Sequence, residues 1–332
     1  MNQNRTSRRQ IIQFAAGGTA ALCVPALARA QGDWRPTQQM RLIVPFAPGG
    51  TTDIVARIMA QHLGPRLGQT VVADNRPGAG GMVASLAAAQ AAPDGHTLVV
   101  SNVASHGIWP TMARDIRYNA VTDFSHIGLL ATTATAVLVN PRYEIQSIAD
   151  LVRIGKSRPA GVDFATAGFG TSTHLAGMRI GLQGGFRMNP VVYRGSGPAL
   201  ADVMAGTVGL TIDSMPAVVG HIRAGTLKAL AVLDPQRNTM IPDVPTLAEQ
   251  GFPGLVSYSW FGISGPAGMP AAAVNRISTE MRAVLAMPEV RARYGELSAD
   301  APDMTPEQYS AFVRDEVRTW GDVVRATGVR AE

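Results

Sequence analysis

Cysteine is almost absent, since Cys23 is the only one among 332 residues. Because Cys23 lies in an N-terminal segment that has the features of a cleaved signal, the remaining chain has no thiol. It can form no disulfide, no thiolate metal site and no thiol nucleophile. The six histidines are scattered and form no H-E-x-x-H motif. The sequence therefore predicts no metal and no cofactor.

Catalytic and nucleotide-binding motifs are also missing. No G-x-S-x-G elbow occurs, and Gly195-Ser196-Gly197 is too short to replace one. Residues 78–81 lack the third glycine of a dinucleotide loop, and residues 155–157 lack the upstream glycine of a P-loop. These absences disfavour a hydrolase and a nucleotide-dependent enzyme.

Acidic residues are absent from the first thirty positions, whereas four arginines lie there. These arginines account for four of the five net positive charges of the chain. The remainder is nearly neutral, so the basic isoelectric point does not support a nucleic-acid partner. The sequence predicts none.

The same thirty residues have the pattern of an export signal. A basic head with Arg8-Arg9 precedes a mildly apolar run over residues 14–27, and Ala28-Arg29-Ala30 matches a signal peptidase site. The paired arginines resemble a twin-arginine signal, while the general secretory route stays open. An uncleaved anchor is disfavoured because glycine and proline interrupt a run that is already short for a membrane span. We therefore predict cleavage after Ala30 and a periplasmic protein.

From residue 40 onward, short β-branched runs alternate with alanine-rich segments of helical spacing. Residues 41–46 and 97–101 have strand character, and residues 53–67 have helical spacing. The alternation recurs over residues 127–233, and residues 271–326 add three helices. This rhythm predicts two α/β lobes, each a mostly parallel sheet flanked by helices.

Two segments share one design, in which a strand, a glycine turn, a hydroxyl cluster and a helix follow one another. They are residues 44–53 and residues 164–174. Glycine allows a ligand to approach the backbone closely, and the following helix directs its unpaired N–H groups and positive dipole end at the turn. Such an end is an anion site, so we predict that both loops bind one small anion. The predicted ligand-binding residues of these loops are Phe46, Pro48, Gly50, Thr51, Asp53, Gly168, Gly170, Thr171 and Ser172.

Other predicted strand ends are expected at the same place, because ligands of open parallel sheets lie beyond the carboxyl ends of the strands. Asp213 is the one acidic group among them. It either caps the helix that starts near Pro216 or binds an amide, a backbone N–H or a ligand ammonium group, and the sequence leaves these interpretations open. The further predicted ligand-binding residues are Ser101, Asn102, Ser105, Tyr193 and Asp213.

Several short motifs are distributed from residue 41 to residue 246. They are Arg41-Leu42-Ile43-Val44-Pro45-Phe46, Asn75-Arg76-Pro77-Gly78-Ala79-Gly80-Gly81, Ala92-Pro93-Asp94-Gly95-His96-Thr97-Leu98, Ser172-Thr173-His174-Leu175-Ala176-Gly177 and Pro242-Asp243-Val244-Pro245-Thr246. With these motifs the chain resembles the substrate-binding proteins of tripartite tricarboxylate transporters, the Bug family of periplasmic receptors. The resemblance covers essentially the whole chain beyond the signal.

The resemblance implies a type II periplasmic-binding-protein fold with a ligand cleft between two lobes. Carried onto this sequence, lobe one comprises residues 35–134 plus 256–332, and lobe two comprises residues 135–255. The implied function is capture of a small carboxylate and its delivery to integral-membrane transporter subunits. The receptor is expected to be a monomer and not an enzyme.

Trp109 departs from the family pattern, in which a smaller polar residue is usual at this position. It either presents a flat apolar surface to the ligand or takes part in the ordinary packing of the lobes. The sequence leaves both interpretations open.

Two other functions fit the same two-lobed chain. An enzyme acting on a small organic acid would need an acid–base pair in the cleft, and the candidates are Asp53, Asp213 and His106, none with an obvious partner. A ligand-sensing receptor would differ from a transport receptor only in the protein to which it docks.

The export signal leads to the first testable prediction. Protein recovered from the periplasm should begin at Gln31, which intact-mass measurement checks. Conservative replacement of Arg8 and Arg9 by lysine should block export only on the twin-arginine route. An intact N-terminus in the periplasmic fraction would contradict the predicted cleavage.

Overall fold

The computed structural model describes residues 34–328, so the predicted signal lies outside the described residues. Most strands in it are short, apolar and rich in β-branched residues, as expected for strands covered on both faces. The strands are β1 (Met40–Val44), β2 (Val71–Asn75), β3 (Thr97–Asn102), β4 (Phe124–Val139), β5 (Val162–Thr166), β6 (Met188–Val192), β7 (Leu210–Ser214), β8 (Lys228–Val232) and β9 (Tyr258–Pro266).

Helices follow most of these strands after short turns. A π-helical turn, Val103–Ile108, follows β3, and single 3₁₀ turns lie at Ala79–Gly81 and Ala248–Gln250. The α-helices are α1 (Thr51–Leu67), α2 (Met82–Ala89), α3 (Trp109–Met112), α4 (Ile148–Ser157), α5 (Ser172–Gly184), α6 (Ser196–Ala205), α7 (Met215–Arg223), α8 (Ala271–Leu285), α9 (Pro288–Glu296) and α10 (Pro306–Thr327).

The nine strands form a sheet that is parallel at its outer strands and antiparallel in its middle. Its order is β2-β1-β3-β9-β4-β7-β5-β6, and β8 also pairs with β4. β1 runs parallel to β2 and β3, and β5 runs parallel to β6 and β7. β4 and β9 pair antiparallel with each other and with their other neighbours. The predicted α/β class is confirmed, whereas β9 is not predicted, because glycines and serines interrupt its apolar pattern.

The long strand β4 joins two groups of strands. Its residues 124–134 pair with β9, and its residues 135–139 pair with β7 and β8. We call β1, β2, β3 and β9 the first strand group, and β5, β6, β7 and β8 the second strand group. One large core cluster takes its buried residues from positions 40–131 and 261–299. Two other clusters lie within residues 134–255, so each strand group has its own core.

Glu316 ties the last helix to β9. Its buried carboxylate accepts hydrogen bonds from the indole N–H of Trp260 (2.6 Å), the indole N–H of Trp320 (2.9 Å) and the Tyr258 hydroxyl. Successive side chains of a strand point to opposite faces, so fixing Tyr258 and Trp260 against α10 turns the intervening Ser259 to the other face. Glu316 thereby orients β9.

Removal of this carboxylate should destabilise the protein. In Glu316→Ala, two indoles and one phenol lose a charged acceptor in the interior, so we expect a loss of about 3 kcal/mol in the free energy of unfolding. This loss is measured by urea denaturation with tryptophan fluorescence as the signal. The matched control is Asp315→Ala, whose side chain is 67% exposed and should change stability by less than about 0.5 kcal/mol. Equal effects of the two substitutions would contradict the role of Glu316.

Candidate functional site

A small cavity of about 50 Å³ lies where the carboxyl ends of strands from both groups meet. This is the position expected for a ligand in an open α/β sheet. Most of its wall comes from the first turns of α1, α5, α6 and α7 and from the π-helical turn after β3. The lining residues are Phe46, Gly50, Thr51, Thr52, Asn102, Val103, Ala104, Ala167, Thr171, Ser172, Thr173, Ser196, Asp213, Ser214, Ser259 and Phe261.

The turn after β1 contributes the N-terminus of α1. Gly50 is the N-cap, and a Cβ atom built on it would lie 3.1 Å from the Ser196 Cβ, so a side chain here would press on α6. Thr51 and Thr52 occupy the first helical positions and are both buried. The Thr51 hydroxyl is buried without a hydrogen-bond partner. It is therefore available to a ligand in the cavity.

Asp53 holds this turn together from outside the cavity. Its carboxylate accepts hydrogen bonds from the Gly49 N–H (3.1 Å), the Arg57 guanidinium (2.9 Å) and the Asn75 side-chain amide (3.0 Å). Burial opposes ionisation of Asp53, but these hydrogen bonds and the charge of Arg57 outweigh it, so its pKa is lowered. Asp53 thus positions the α1 N-terminus and lies away from the ligand space.

The turn after β5 contributes the N-terminus of α5. Thr171 is its N-cap and accepts a hydrogen bond from the His174 N–H at 3.2 Å, while its hydroxyl donates to the Gly168 carbonyl at 2.8 Å. The Ser172 hydroxyl lies 2.9 Å from the Ser259 hydroxyl on β9. That contact joins the two strand groups across the cavity wall.

The turn after β3 is capped by a side chain. Asn102 accepts hydrogen bonds through its side-chain oxygen from the Ala104 N–H (2.9 Å) and the Ser105 N–H (3.2 Å). Its amide nitrogen donates to the Ser105 hydroxyl at 3.1 Å. Asn102 therefore fixes the turn, and Val103 and Ala104 form the wall.

Among residues 34–328, the second strand group contributes the one acidic side chain of the wall. Asp213 is the last residue but one of β7 and is 2% exposed. It accepts hydrogen bonds through Oδ1 from the Ser196 hydroxyl (2.9 Å) and the Ser214 N–H (2.7 Å). Burial raises the pKa of its carboxyl to about 6, although these two hydrogen bonds act to lower it. Its other oxygen, Oδ2, is buried without a hydrogen-bond partner.

No lysine, arginine or histidine lines the cavity in the part of the chain that the structure describes. Favourable potential for an anion must come from the helix N-termini, where the first N–H groups lack intrahelical acceptors. Hydroxyls of threonine and serine add short-range donors. The arrangement can hold a carboxylate without a side-chain cation.

Comparison with known proteins identifies the family. Residues 55–329 match the model of the tripartite tricarboxylate transporter family receptor, TctC. The chain belongs to this family. The receptor is 35% identical to protein BugT of Bordetella pertussis (strain Tohama I) over 313 residues, which cover 94% of this chain and 95% of BugT.

Solved structures give the same result. Periplasmic binding protein BugD is 30% identical and superposes with a TM-score of 0.86, covering 90% of this chain and all of BugD (100%). MatC from Rhodopseudomonas palustris with bound malate is 30% identical, with a TM-score of 0.83, and the match covers 87% of this chain and 99% of MatC. The resemblance found from sequence motifs is confirmed.

The structure brings half of the sequence-predicted site residues into the cavity wall. Three of the other predicted residues bond elsewhere. The Ser101 hydroxyl lies 2.8 Å from the Tyr309 hydroxyl, the Ser105 hydroxyl lies 2.9 Å from His106, and the Tyr193 hydroxyl donates to Asp202 at 2.6 Å. Those in the wall are Phe46, Gly50, Thr51, Asn102, Thr171, Ser172 and Asp213. Those outside it are Pro48, Asp53, Ser101, Ser105, Gly168, Gly170 and Tyr193.

Sequence reasoning missed several hydroxyl residues of the wall, among them Ser196 on α6, Ser214 at the end of β7 and Ser259 on β9. Ser196 follows Gly195 and starts α6, so it repeats the glycine–hydroxyl–helix design of the two predicted loops. Ser214 directly follows the predicted Asp213. Ser259 had no detectable signal, because β9 itself is not evident from the sequence. The other lining residues that the list of predicted ligand-binding residues does not include are Thr52, Val103, Ala104, Ala167, Thr173 and Phe261.

Trp109 lies outside the cavity wall and is 5% exposed. Its indole packs edge-on against Phe169, with ring centroids 6.2 Å apart. A Cβ atom on Gly170 would lie 2.8 Å from the indole nitrogen, and one on Gly80 would lie 2.0 Å from it. Trp109 is therefore a packing residue in this structure and does not present its ring to the cavity. Gly80 and Gly170, which have no side chains, leave room for the indole.

The candidates for an acid–base pair do not meet in the cavity. His106 is fully buried, its Nδ1 lies 2.9 Å from the Ser105 hydroxyl, and burial lowers its pKa well below the usual value. Asp53 is engaged by Arg57 and Asn75. Asp213 is the one titratable side chain of the wall in residues 34–328. In the same residues no helix is long and apolar enough to cross a bilayer, and no group of three or more His, Cys, Asp and Glu side chains could hold a metal ion.

The raised pKa of Asp213 predicts a pH-dependent stability. An unfolded aspartate has a pKa of about 3.9, so the unfolded state ionises first and stability falls as the pH rises from about 4 to 6. The pKa of Asp213 in the folded protein is about 6. The free energy of unfolding is therefore about 3 kcal/mol lower above pH 6 than below pH 4. Asp213→Asn should remove this loss in ligand-free protein, as measured by urea denaturation at pH 4 and pH 7.

The matched control is Asp202→Asn, which neutralises a carboxylate outside the cavity. It should leave the pH dependence of the wild-type protein in place. A stability difference between wild type and Asp213→Asn that is the same at both pH values would contradict the assignment.

Proposed function

We propose that this receptor binds a small mono- or dicarboxylate in the cavity, without turnover, and delivers it to the membrane subunits of a tripartite tricarboxylate transporter. The observation that carries the proposal is the convergence of four helix N-termini and one capped turn on a cavity to which the described residues contribute no basic side chain. Oriented N–H donors of this kind bind carboxylates in place of a cation. The malate bound to the similar protein MatC supports the ligand class.

The size and chemistry of the cavity favour a short acid. The cavity volume of about 50 Å³ leaves room for few atoms in the conformation described. Phe46 and Phe261 give the wall apolar surface, while the threonine and serine hydroxyls supply donors. A short aliphatic backbone between polar ends matches both parts of the wall.

We infer that residues 35–134 plus 256–332 and residues 135–255 are lobes that close on the ligand. The separate cores of the two strand groups support this division. The loops before α1 and α6 meet directly, because the Ala47 N–H donates to the Arg194 carbonyl at 2.9 Å. A ligand held by both lobes binds the closed state better and shifts the population toward it.

The export signal and the family together support a periplasmic location for the mature chain, with cleavage after Ala30. BugD is described as a periplasmic binding protein. We propose the same location here and a receptor that acts as a monomer.

A ligand panel tests the proposed function. At a hundredfold excess over its dissociation constant, a ligand should stabilise the protein by about 2.7 kcal/mol. Each kcal/mol moves the thermal midpoint by roughly 2–4 °C at this size, so a rise of about 5–10 °C is expected. The measurement is a thermal-shift screen of aliphatic dicarboxylates, hydroxy acids, acidic amino acids and aromatic carboxylates.

The neutral amides of the same acids are the control, because they preserve shape and remove the charge. Stabilisation by the amides equal to that by the acids would contradict the anion site. Consumption of an acid during incubation would replace the receptor function by an enzymatic one. Small-angle scattering should show a smaller radius of gyration with ligand.

A further inference from the structure

Asp213, in the cavity wall, has one buried carboxylate oxygen that accepts no hydrogen bond. Asp213 Oδ1 is saturated by Ser196 and Ser214, whereas Oδ2 is buried and has no hydrogen-bond partner. A buried polar atom without a partner costs free energy, and such atoms are rare in folded proteins. The side chain is 2% exposed, so bulk solvent does not relieve this cost.

The neighbouring hydroxyls do not satisfy Oδ2. The Ser196 hydroxyl already donates to Oδ1 of the same carboxyl. The Ser214 hydroxyl donates to the Ser259 hydroxyl at 3.0 Å, and Ser259 lies 2.9 Å from the Ser172 hydroxyl. The hydrogen bonds around Asp213 therefore leave one carboxylate oxygen of this cavity-lining residue, Oδ2, without a donor. The Thr51 hydroxyl lines the same cavity and forms no hydrogen bond with Oδ2 either, so this oxygen is left for a donor on a ligand.

We infer that Asp213 is a specificity-determining residue, which selects carboxylates that carry a hydroxyl or ammonium donor next to the acid group over unsubstituted diacids. The inference rests on the proposed function and names the ligand class of the same site. A donor on the ligand satisfies Oδ2, while the ligand carboxylate takes the helix N-termini. An unsubstituted diacid leaves Oδ2 unpaired or places a second anion beside it.

This selection is strong because leaving a buried polar group unpaired costs more free energy than a typical hydrogen bond contributes. A site built to hydrogen-bond a polar group rejects the analogue that lacks it, because the buried partner then stays unpaired. We therefore expect a preference of at least about tenfold in dissociation constant between matched ligands with and without the donor.

The test compares four-carbon dicarboxylates that differ at one position. Calorimetric titration at pH 7.5 gives dissociation constants for succinate, for each enantiomer of malate and for L-aspartate. Wild-type protein should bind one of the substituted acids at least about tenfold more tightly than succinate. Tighter binding of malate would identify a hydroxyl as the donor, and tighter binding of aspartate would identify an ammonium group.

The variant Asp213→Asn reverses the polarity of the wall at nearly constant volume. The amide oxygen has to accept from Ser196 and Ser214, so the amide NH₂ takes the place of Oδ2 and presents donors to the cavity. Binding of the substituted acid should weaken and binding of succinate should strengthen, so the ratio falls to about one or inverts. The matched control is Asp202→Asn, an aspartate of α6 that binds Tyr193 outside the cavity and should leave the ratio unchanged.

The outcomes separate this inference from the proposed function. Equal affinities of wild-type protein for succinate, malate and aspartate would overturn the role of Asp213 and leave the carboxylate receptor intact. A tenfold preference that survives in Asp213→Asn would also overturn it. If no carboxylate of the wider panel binds, the proposed function fails first. Circular dichroism melting confirms that each variant is folded before titration.

Discussion

The first N–H groups of an α-helix have no acceptor within the helix, and in this protein several helices direct that end at one small cavity. The helices α1, α5, α6 and α7 all begin at the cavity wall, and the turn capped by Asn102 joins them. Because this potential comes from the backbone, it needs no lysine or arginine. It does require that strands from both groups end at the same place, and the rest of the fold provides that placement.

Two long strands satisfy this requirement. β4 pairs with β9 over its first part and with β7 and β8 over its second part, so it carries the chain between the strand groups without a flexible linker. β9 returns beside β4 and places Ser259 opposite Ser172 and Ser214. Glu316 fixes the neighbouring aromatic side chains on the far face. The hydroxyl network at the cavity therefore depends on a buried carboxylate on the opposite side of the sheet.

Sequence patterns predict those features of the fold that depend on residues close together in the chain. Short stretches of sequence are enough to predict the order of strands, turns and helices and the two glycine loops. They also determine the N-cap of α4, where the Ser147 hydroxyl accepts a hydrogen bond from the Asp150 N–H at 3.0 Å. Asp53 and Gly170 lie in the predicted loops but outside the cavity wall, because their orientation depends on partners such as Asn75 and Trp109 that lie far away in the sequence. Ser259 lies on a strand that is formed by pairing with β4 and β3. No short window of sequence contains that information.

Backbone donors explain affinity for an acid but not the choice of acid, since every carboxylate can accept from an N–H group. Discrimination must come from the side chains that complete the wall. Phe46 and Phe261 have no hydrogen-bonding groups, so they can discriminate between ligands only by shape. The serine hydroxyls can act either as donors or as acceptors. Asp213 at pH 7 is different, because burial keeps water away from Oδ2 and an ionised carboxylate can only accept. If the receptor binds its ligand as proposed, this fixed polarity places its selectivity at Asp213 in the second strand group, whereas the helix N-termini at the cavity follow strands of both groups.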